Sequence, residues 1–175
     1  MSNKCLTLMV LALALAGCRG TDVGHDWRRL DPPVPAPGFS LNRLEGGTVS
    51  LADYRGQTVI LDFWATWCGP CRQSLPSLEQ IARTYRDRGV TVLLVNEGES
   101  ADRIRQWLED RYTAPILLDE DQRVAQHYNV AGIPRTFIID QDGRVIYDHA
   151  GYGGGLERNL RLILSELLAT GHGRR

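Results

Sequence analysis

Apolar positions along the chain follow two periods, two residues and three to four. Residues 59–64, Val-Ile-Leu-Asp-Phe-Trp, form a nearly continuous apolar run, the pattern of a strand buried on both faces. In residues 73–88 the apolar side chains Leu75, Leu78, Ile81, Ala82 and Tyr85 recur at three- and four-residue steps, which predicts an amphipathic helix. Pro76 falls inside that helix and is expected to kink it. Residues 90–95 read as a second buried strand, and residues 100–111 as a helix with Ser100 as N-cap and Ile104, Trp107 and Leu108 on one face. A short strand at 116–118 and a short helix at 121–128 follow. Strands at 136–139 and 144–148 flank the turn Gln141-Asp142-Gly143 and predict a hairpin. An amphipathic helix over 156–168 closes the pattern. Upstream, Phe39-Ser40-Leu41 and Val49-Ser50-Leu51 flank Glu45-Gly46-Gly47 as a short hairpin, with a helical turn at 52–54. Strands that alternate with helices and end in a hairpin predict an α/β fold, a mixed central sheet flanked by helices on both faces.

The N-terminal residues break this pattern. Residues 6–16 are an apolar stretch of about eleven residues behind Lys4, too short for a membrane span of about twenty. The stretch ends in Leu15-Ala16-Gly17-Cys18, which resembles a bacterial lipobox. That resemblance implies a lipoprotein signal peptide over residues 1–17 and lipidation at Cys18. Arg19, rather than Asp, follows Cys18, which resembles the outer-membrane sorting pattern of Gram-negative lipoproteins. Residues 18–37 read as a tether, proline-rich over 31–37, where polyproline II is favoured as a semi-rigid spacer. The folded domain is expected over 38–169, with residues 170–175 as a disordered tail.

Composition narrows the chemistry. The chain has 175 residues, 43% hydrophobic and 23% charged, room for one domain and an extension. A net charge of −1 without a basic, aromatic-laced stretch argues against nucleic acid as a partner. Of four cysteines, Cys5 and Cys18 lie in the first eighteen residues, so the domain holds just Cys68 and Cys71. These two stand in Trp67-Cys68-Gly69-Pro70-Cys71, at the junction of the predicted strand and helix. A helix N-terminus presents unpaired N–H groups and the positive end of the dipole. A thiolate at Cys68 is stabilised there, so its pKa is expected below the free value of about 8.5. Cys71, one turn in, is expected to be more buried and more often protonated. A zinc site needs about four ligands. There is no second C-x-x-C, and the histidines at 25, 127, 149 and 172 are scattered.

Phe63-Trp64-Ala65-Thr66-Trp67-Cys68-Gly69-Pro70-Cys71 resembles the active-site signature of the thioredoxin superfamily. The N-terminal hairpin and the strand–helix inserted between 113 and 130 narrow the resemblance to the TlpA/ResA-like branch, membrane-tethered thiol–disulfide oxidoreductases. Matching stretches include residues 37–41, 49–51, 95–100 and 132–140. The resemblance implies a thioredoxin-like fold and a redox-active Cys68/Cys71 dithiol without a cofactor or bound metal. It implies substrate contacts from Trp67, Gly69, Pro70, Ile133 and a cis Pro134, and proton transfer by Asp62 and Glu99. Each carboxyl is expected to have a raised pKa if buried without a partner. The chain's single lysine is Lys4, so no lysine of the domain pairs with Asp62. Arg135 departs from the small residue common at its position and is expected to add positive charge beside the site.

The implied activity is reduction of protein disulfides, such as those of apocytochrome c, with electrons from a membrane thiol donor. The implied location is the bacterial cell envelope, lipid-anchored and facing the periplasm, with the outer membrane suggested by Arg19. Two other uses of the same fold stay open at this point. A Sco-type copper metallochaperone spaces its cysteines by three residues, against two here. A thiol peroxidase carries Pro-x-x-x-Thr-x-x-Cys, which Thr66-Trp67-Cys68 does not match. An oxidase or isomerase also stays open, because direction depends on redox partners.

Overall fold

A computed structural model describes residues 27–108 and 111–171. Its centre is an eight-stranded mixed sheet in the order β1-β8-β7-β4-β5-β6-β2-β3. The strands are β1 (Trp27–Pro35), β2 (Ser40–Arg43), β3 (Thr48–Ser50), β4 (Thr58–Trp64), β5 (Val90–Glu97), β6 (Ile116–Asp119), β7 (Arg135–Ile139) and β8 (Arg144–Ala150). The helices are α1 (Gly69–Tyr85), α2 (Ala101–Leu108), α3 (Arg123–His127) and α4 (Leu156–Gly171). The hairpin β2–β3 and the inserted β6–α3 unit stand where the pattern placed them. Helix α1 starts four residues earlier than its apolar periodicity suggested and runs through Pro76. Periodicity reports the buried stripe, and the first turn of this helix is Gly-Pro-Cys.

All seven residues of β4 are buried. It lies between β5, parallel to it, and β7, antiparallel to it. Its side chains alternate between two cores. Val59, Leu61 and Phe63 join a cluster with Val124, Ala125 and Tyr128 around α3. Ile60 and Trp64 join the other, with Leu75, Leu78 and Ile81 of α1 and Leu160, Ile163 and Leu164 of α4. Both cysteines belong to that second cluster. Period two places Asp62, between Ile60 and Trp64, on the same face.

The proline-rich stretch differs from its expectation as a tether. Trp27–Pro35 is an edge strand, antiparallel to β8, with Trp27 opposite His149 and Pro35 opposite Arg144. Polyproline II and β backbones differ little, so side chains decide between them. Here the Trp27 ring is 8% exposed and stacks on His149 at 4.7 Å. Arg28 forms an ion pair with Asp148. Pro32, Pro33 and Pro35 lack a donor, which an edge strand tolerates. The register shift between Arg29 and Val34 falls across that proline segment. The folded unit therefore includes residues 27–37, and the remainder of the expected tether, with the signal segment, lies outside the described residues.

Trp27→Ala tests whether β1 belongs to the core. It should lower the stability of the oxidised protein by about 3 kcal/mol, the range for truncating a buried aromatic, read as a lower urea midpoint.

Candidate functional site

The site begins where β4 ends. A tight turn leads from Trp64 to Cys68, the N-cap of α1. The Cys71 N–H donates to the Cys68 sulfur at 3.1 Å, so a sulfur fills the role that Ser or Asp usually takes at a helix start. Cys68 and Cys71 are joined as a disulfide. Cys68 is 4% exposed and Cys71 fully buried. The Ile133 carbonyl lies 3.7 Å from the Cys68 sulfur, and the Ile133–Pro134 peptide bond is cis. Trp67, 62% exposed, forms the outer rim. Attack from outside thus reaches Cys68 first, beside a free-standing aromatic and a backbone carbonyl.

Asp62 and Glu99 are both expected to transfer protons, each with a raised pKa if buried without a partner. The structure gives them different surroundings. Asp62 is fully buried and accepts one hydrogen bond, from Thr136 Oγ1 at 2.7 Å. Its second oxygen has no hydrogen-bond partner. Burial pushes its pKa up to about 7, against the weaker opposing effect of the Thr136 bond.

For Glu99 the expectation is corrected. Burial alone would push its pKa up, but donors outweigh it and hold the carboxyl below its ordinary value. Those donors are the Thr66 hydroxyl at 2.6 Å, the Thr66 N–H at 2.7 Å, Asn96 Nδ2 at 2.9 Å and Arg103 Nε at 2.9 Å. Glu99 is a satisfied carboxylate that ties the turn before Cys68 to the end of β5 and to α2. None of its described bonds goes to a cysteine.

Arg135 has partners that the sequence does not reveal. Its guanidinium pairs with Asp148 at 3.0 Å and lies over the Phe137 ring. Asp148 also takes Arg28, so two guanidiniums share one carboxylate at this corner of the sheet.

Sequence reading passed over Thr66, Asn96, Arg103, Thr136 and Asp148. Arg103 was findable, since it lies four residues after Glu99 on a predicted helix. Thr136 lies opposite Asp62 across the β4–β7 pairing, a partnership that needs the register. Among the described residues no group of three or more His, Cys, Asp or Glu side chains gathers to hold a metal, and no helix is long and apolar enough to cross a membrane. Cys18 lies outside the described residues.

The two carboxyls should oppose each other in pH. Between about pH 4 and 7 folded Asp62 keeps a proton that the unfolded chain releases. Its contribution to stability therefore falls as pH rises through that window. Asp62→Asn should flatten the fall and raise stability above pH 7 by something on the order of 4 kcal/mol, at about 1.36 kcal/mol per pKa unit. Glu99 contributes stability above its unfolded value, lost as pH falls through its lowered pKa. Glu99→Gln should cost about 2 kcal/mol at neutral pH, the scale of breaking buried hydrogen bonds to a charge. Urea titrations of the oxidised proteins across pH check both.

Comparison with known proteins places the chain. Residues 33–148 match the model of the AhpC/TSA family. The thiol-disulfide oxidoreductase ResA of Geobacillus thermodenitrificans is 41% identical over 112 residues, 63% of this chain. The match spans 64% of that relative's length. The thioredoxin-like protein YneN of Bacillus subtilis is 35% identical, over 81% of this chain and 87% of its own. Among solved structures, a putative thiol:disulfide interchange protein DsbE from Chlorobium tepidum superimposes with a TM-score of 0.72 at 34% identity, covering 77% of this chain and 96% of its own. The exposed lipoprotein thioredoxin Etrx1 of Streptococcus pneumoniae gives a TM-score of 0.67 at 30% identity, over 75% of this chain and 100% of its own. With its mixed sheet, its helix-capping cysteine and these relatives, the chain belongs to the AhpC/TSA family of thioredoxin-like proteins.

Proposed function

We propose that the protein is a thiol–disulfide oxidoreductase that reduces protein disulfides through Cys68 and Cys71. The observation that carries this reading is the cysteine pair itself, one sulfur at the rim capping a helix and the other buried behind it. In the reduced protein the Cys68 thiolate attacks a substrate disulfide. A mixed disulfide forms and the substrate's other sulfur leaves as a thiolate, which takes a proton from solvent. Cys71 then gives its proton to Asp62 and attacks the Cys68 sulfur. The substrate leaves with both sulfurs reduced, and the Cys68–Cys71 bond holds the two electrons' worth of oxidation. A thiol donor reverses the last bond to restore the dithiol.

Each residue supports the cycle in its own way. The Cys71 N–H and the dipole of α1 favour the thiolate at Cys68. An acid with a pKa near 7 is suited to take and return a proton at neutral pH. Trp67, Gly69, Pro70, Ile133 and Pro134 form the contact surface for substrate backbone. Glu99 acts as a positioning residue, through Thr66, rather than as a proton carrier.

The proposal includes the location. Residues 1–17 are a lipoprotein signal peptide and Cys18 carries the lipid, so the domain faces the periplasm from a membrane, the outer one by the Arg19 pattern. An apocytochrome c and a membrane thiol donor fit this location. That the pneumococcal structure is described as an exposed lipoprotein thioredoxin supports the anchoring.

Cys71→Ser should trap mixed disulfides with substrate, visible as dithiothreitol-sensitive adducts, while Cys68→Ser traps few. Adducts chiefly on the Cys68→Ser protein would reverse the assignment. Cys18→Ala should block processing or release the protein from membranes. A cleaved Cys18→Ala protein that stays membrane-bound would contradict the anchor.

A further inference from the structure

Strand directions decide which end of the sheet each part of the chain occupies. β4 runs toward the disulfide and ends at Trp64. β7 is antiparallel to β4, with Arg135 opposite Phe63, so it starts at the disulfide end. β8 is antiparallel to β7, with Ala150 opposite Arg135, so it finishes there. β1 is antiparallel to β8, with Trp27 opposite His149, so its first residue stands at the same end. The Gly151 N–H donates to the Pro134 carbonyl at 2.8 Å and joins this corner to the loop beside Cys68. The far end of β1, Pro35, lies opposite Arg144, next to the turn at Asp142.

The length of chain upstream then matters. Trp27 is nine residues after Cys18. Nine residues reach at most about 30 Å when fully extended. The sheet is about 24 Å tall, from the seven residues of β8 at about 3.4 Å each. With the disulfide turned toward the bilayer, the nine residues have only the gap between Trp27 and the surface to span. With the disulfide turned away, the same link must run back along nearly the whole height of the sheet, close to its limit. The entropic cost of that stretch disfavours the second orientation.

Resting on the Cys18 anchor proposed above, we infer that the disulfide end of the domain faces the bilayer that holds it. The exposed side chains agree. Among the described residues three large apolar side chains are exposed, Val34, Trp67 and Tyr152. Trp67 precedes Cys68, and Tyr152 follows the end of β8, so both aromatics stand at the disulfide end. Trp and Tyr are the side chains suited to a membrane–water boundary. Val34 lies toward the opposite end of β1.

Fluorescence energy transfer on the lipidated, full-length protein tests the orientation. The protein is reconstituted on phosphatidylcholine vesicles carrying a trace of rhodamine-headgroup lipid. One sample carries a donor dye on Cys68 in a Cys71→Ser background. The other carries it on the far turn, in a Cys68→Ser, Cys71→Ser, Asp142→Cys background. Transfer should be at least about twofold more efficient from Cys68. A twenty-residue Gly-Ser insertion between residues 20 and 21 should bring the two samples within error of each other. Equal transfer without the insertion, or stronger transfer from position 142, would overturn the orientation while leaving the anchor intact. A difference that survives the insertion would overturn the tether as its cause. Protein that fails to float with the vesicles would overturn the anchor, and this inference with it.

Discussion

A sulfur caps a helix here, and the site is arranged around that contact. The Cys68 sulfur accepts the Cys71 N–H at the start of α1, so the sulfur proposed to attack substrate also fixes the first turn of the helix whose positive end it faces. For this to hold, the turn after β4 must not drift. Three supports pin it: β4 buried between two neighbours, Glu99 gripping Thr66 by both backbone and hydroxyl, and the Ile133 carbonyl packed against the sulfur. Rigid β4 and β5 carry the load, and the exchanging bond sits at their common end.

The two carboxyls near this turn show how burial and hydrogen-bond donors together decide the fate of an acid. Both are buried by surface area. Glu99 has donors on both oxygens and stays a carboxylate. Asp62 has one donor on one oxygen, so its charged form is poorly solvated and its pKa climbs to about 7. One acid therefore serves as a fixed anionic brace. The other keeps a proton that can move near neutral pH. A domain without a lysine leaves Asp62 no ammonium to lower it again.

Much of this was legible in the sequence. The unbroken apolar run of β4 gave a central strand, and the helix period after the cysteines gave α1. Reading Cys68 as the helix-start sulfur needed no more than that junction. Three things escaped. The strand β1 was hidden because proline enrichment points equally to polyproline II and to a sheet edge, and only the Trp27–His149 stack and the Arg28–Asp148 pair, both more than a hundred residues apart, decide between them. Glu99 was misread because half of its donors come from Thr66, thirty-three residues away, beside the local Asn96 and Arg103. Arg135 was read as added positive charge, without its partner Asp148, which sits on the next strand. In each case the local pattern was right about the residue and silent about its long-range partner.

Alkylation kinetics of the reduced wild-type protein, followed from pH 5 to 10 with the labelled cysteine identified by mass spectrometry, bear most directly on the helix-capping sulfur. Cys68 should be labelled first, with a rate that follows a thiolate of pKa below the free value of about 8.5. Cys71 should remain unlabelled until Cys68 has reacted. A midpoint at or above the free value, or equal labelling of the two cysteines below pH 7, would contradict it.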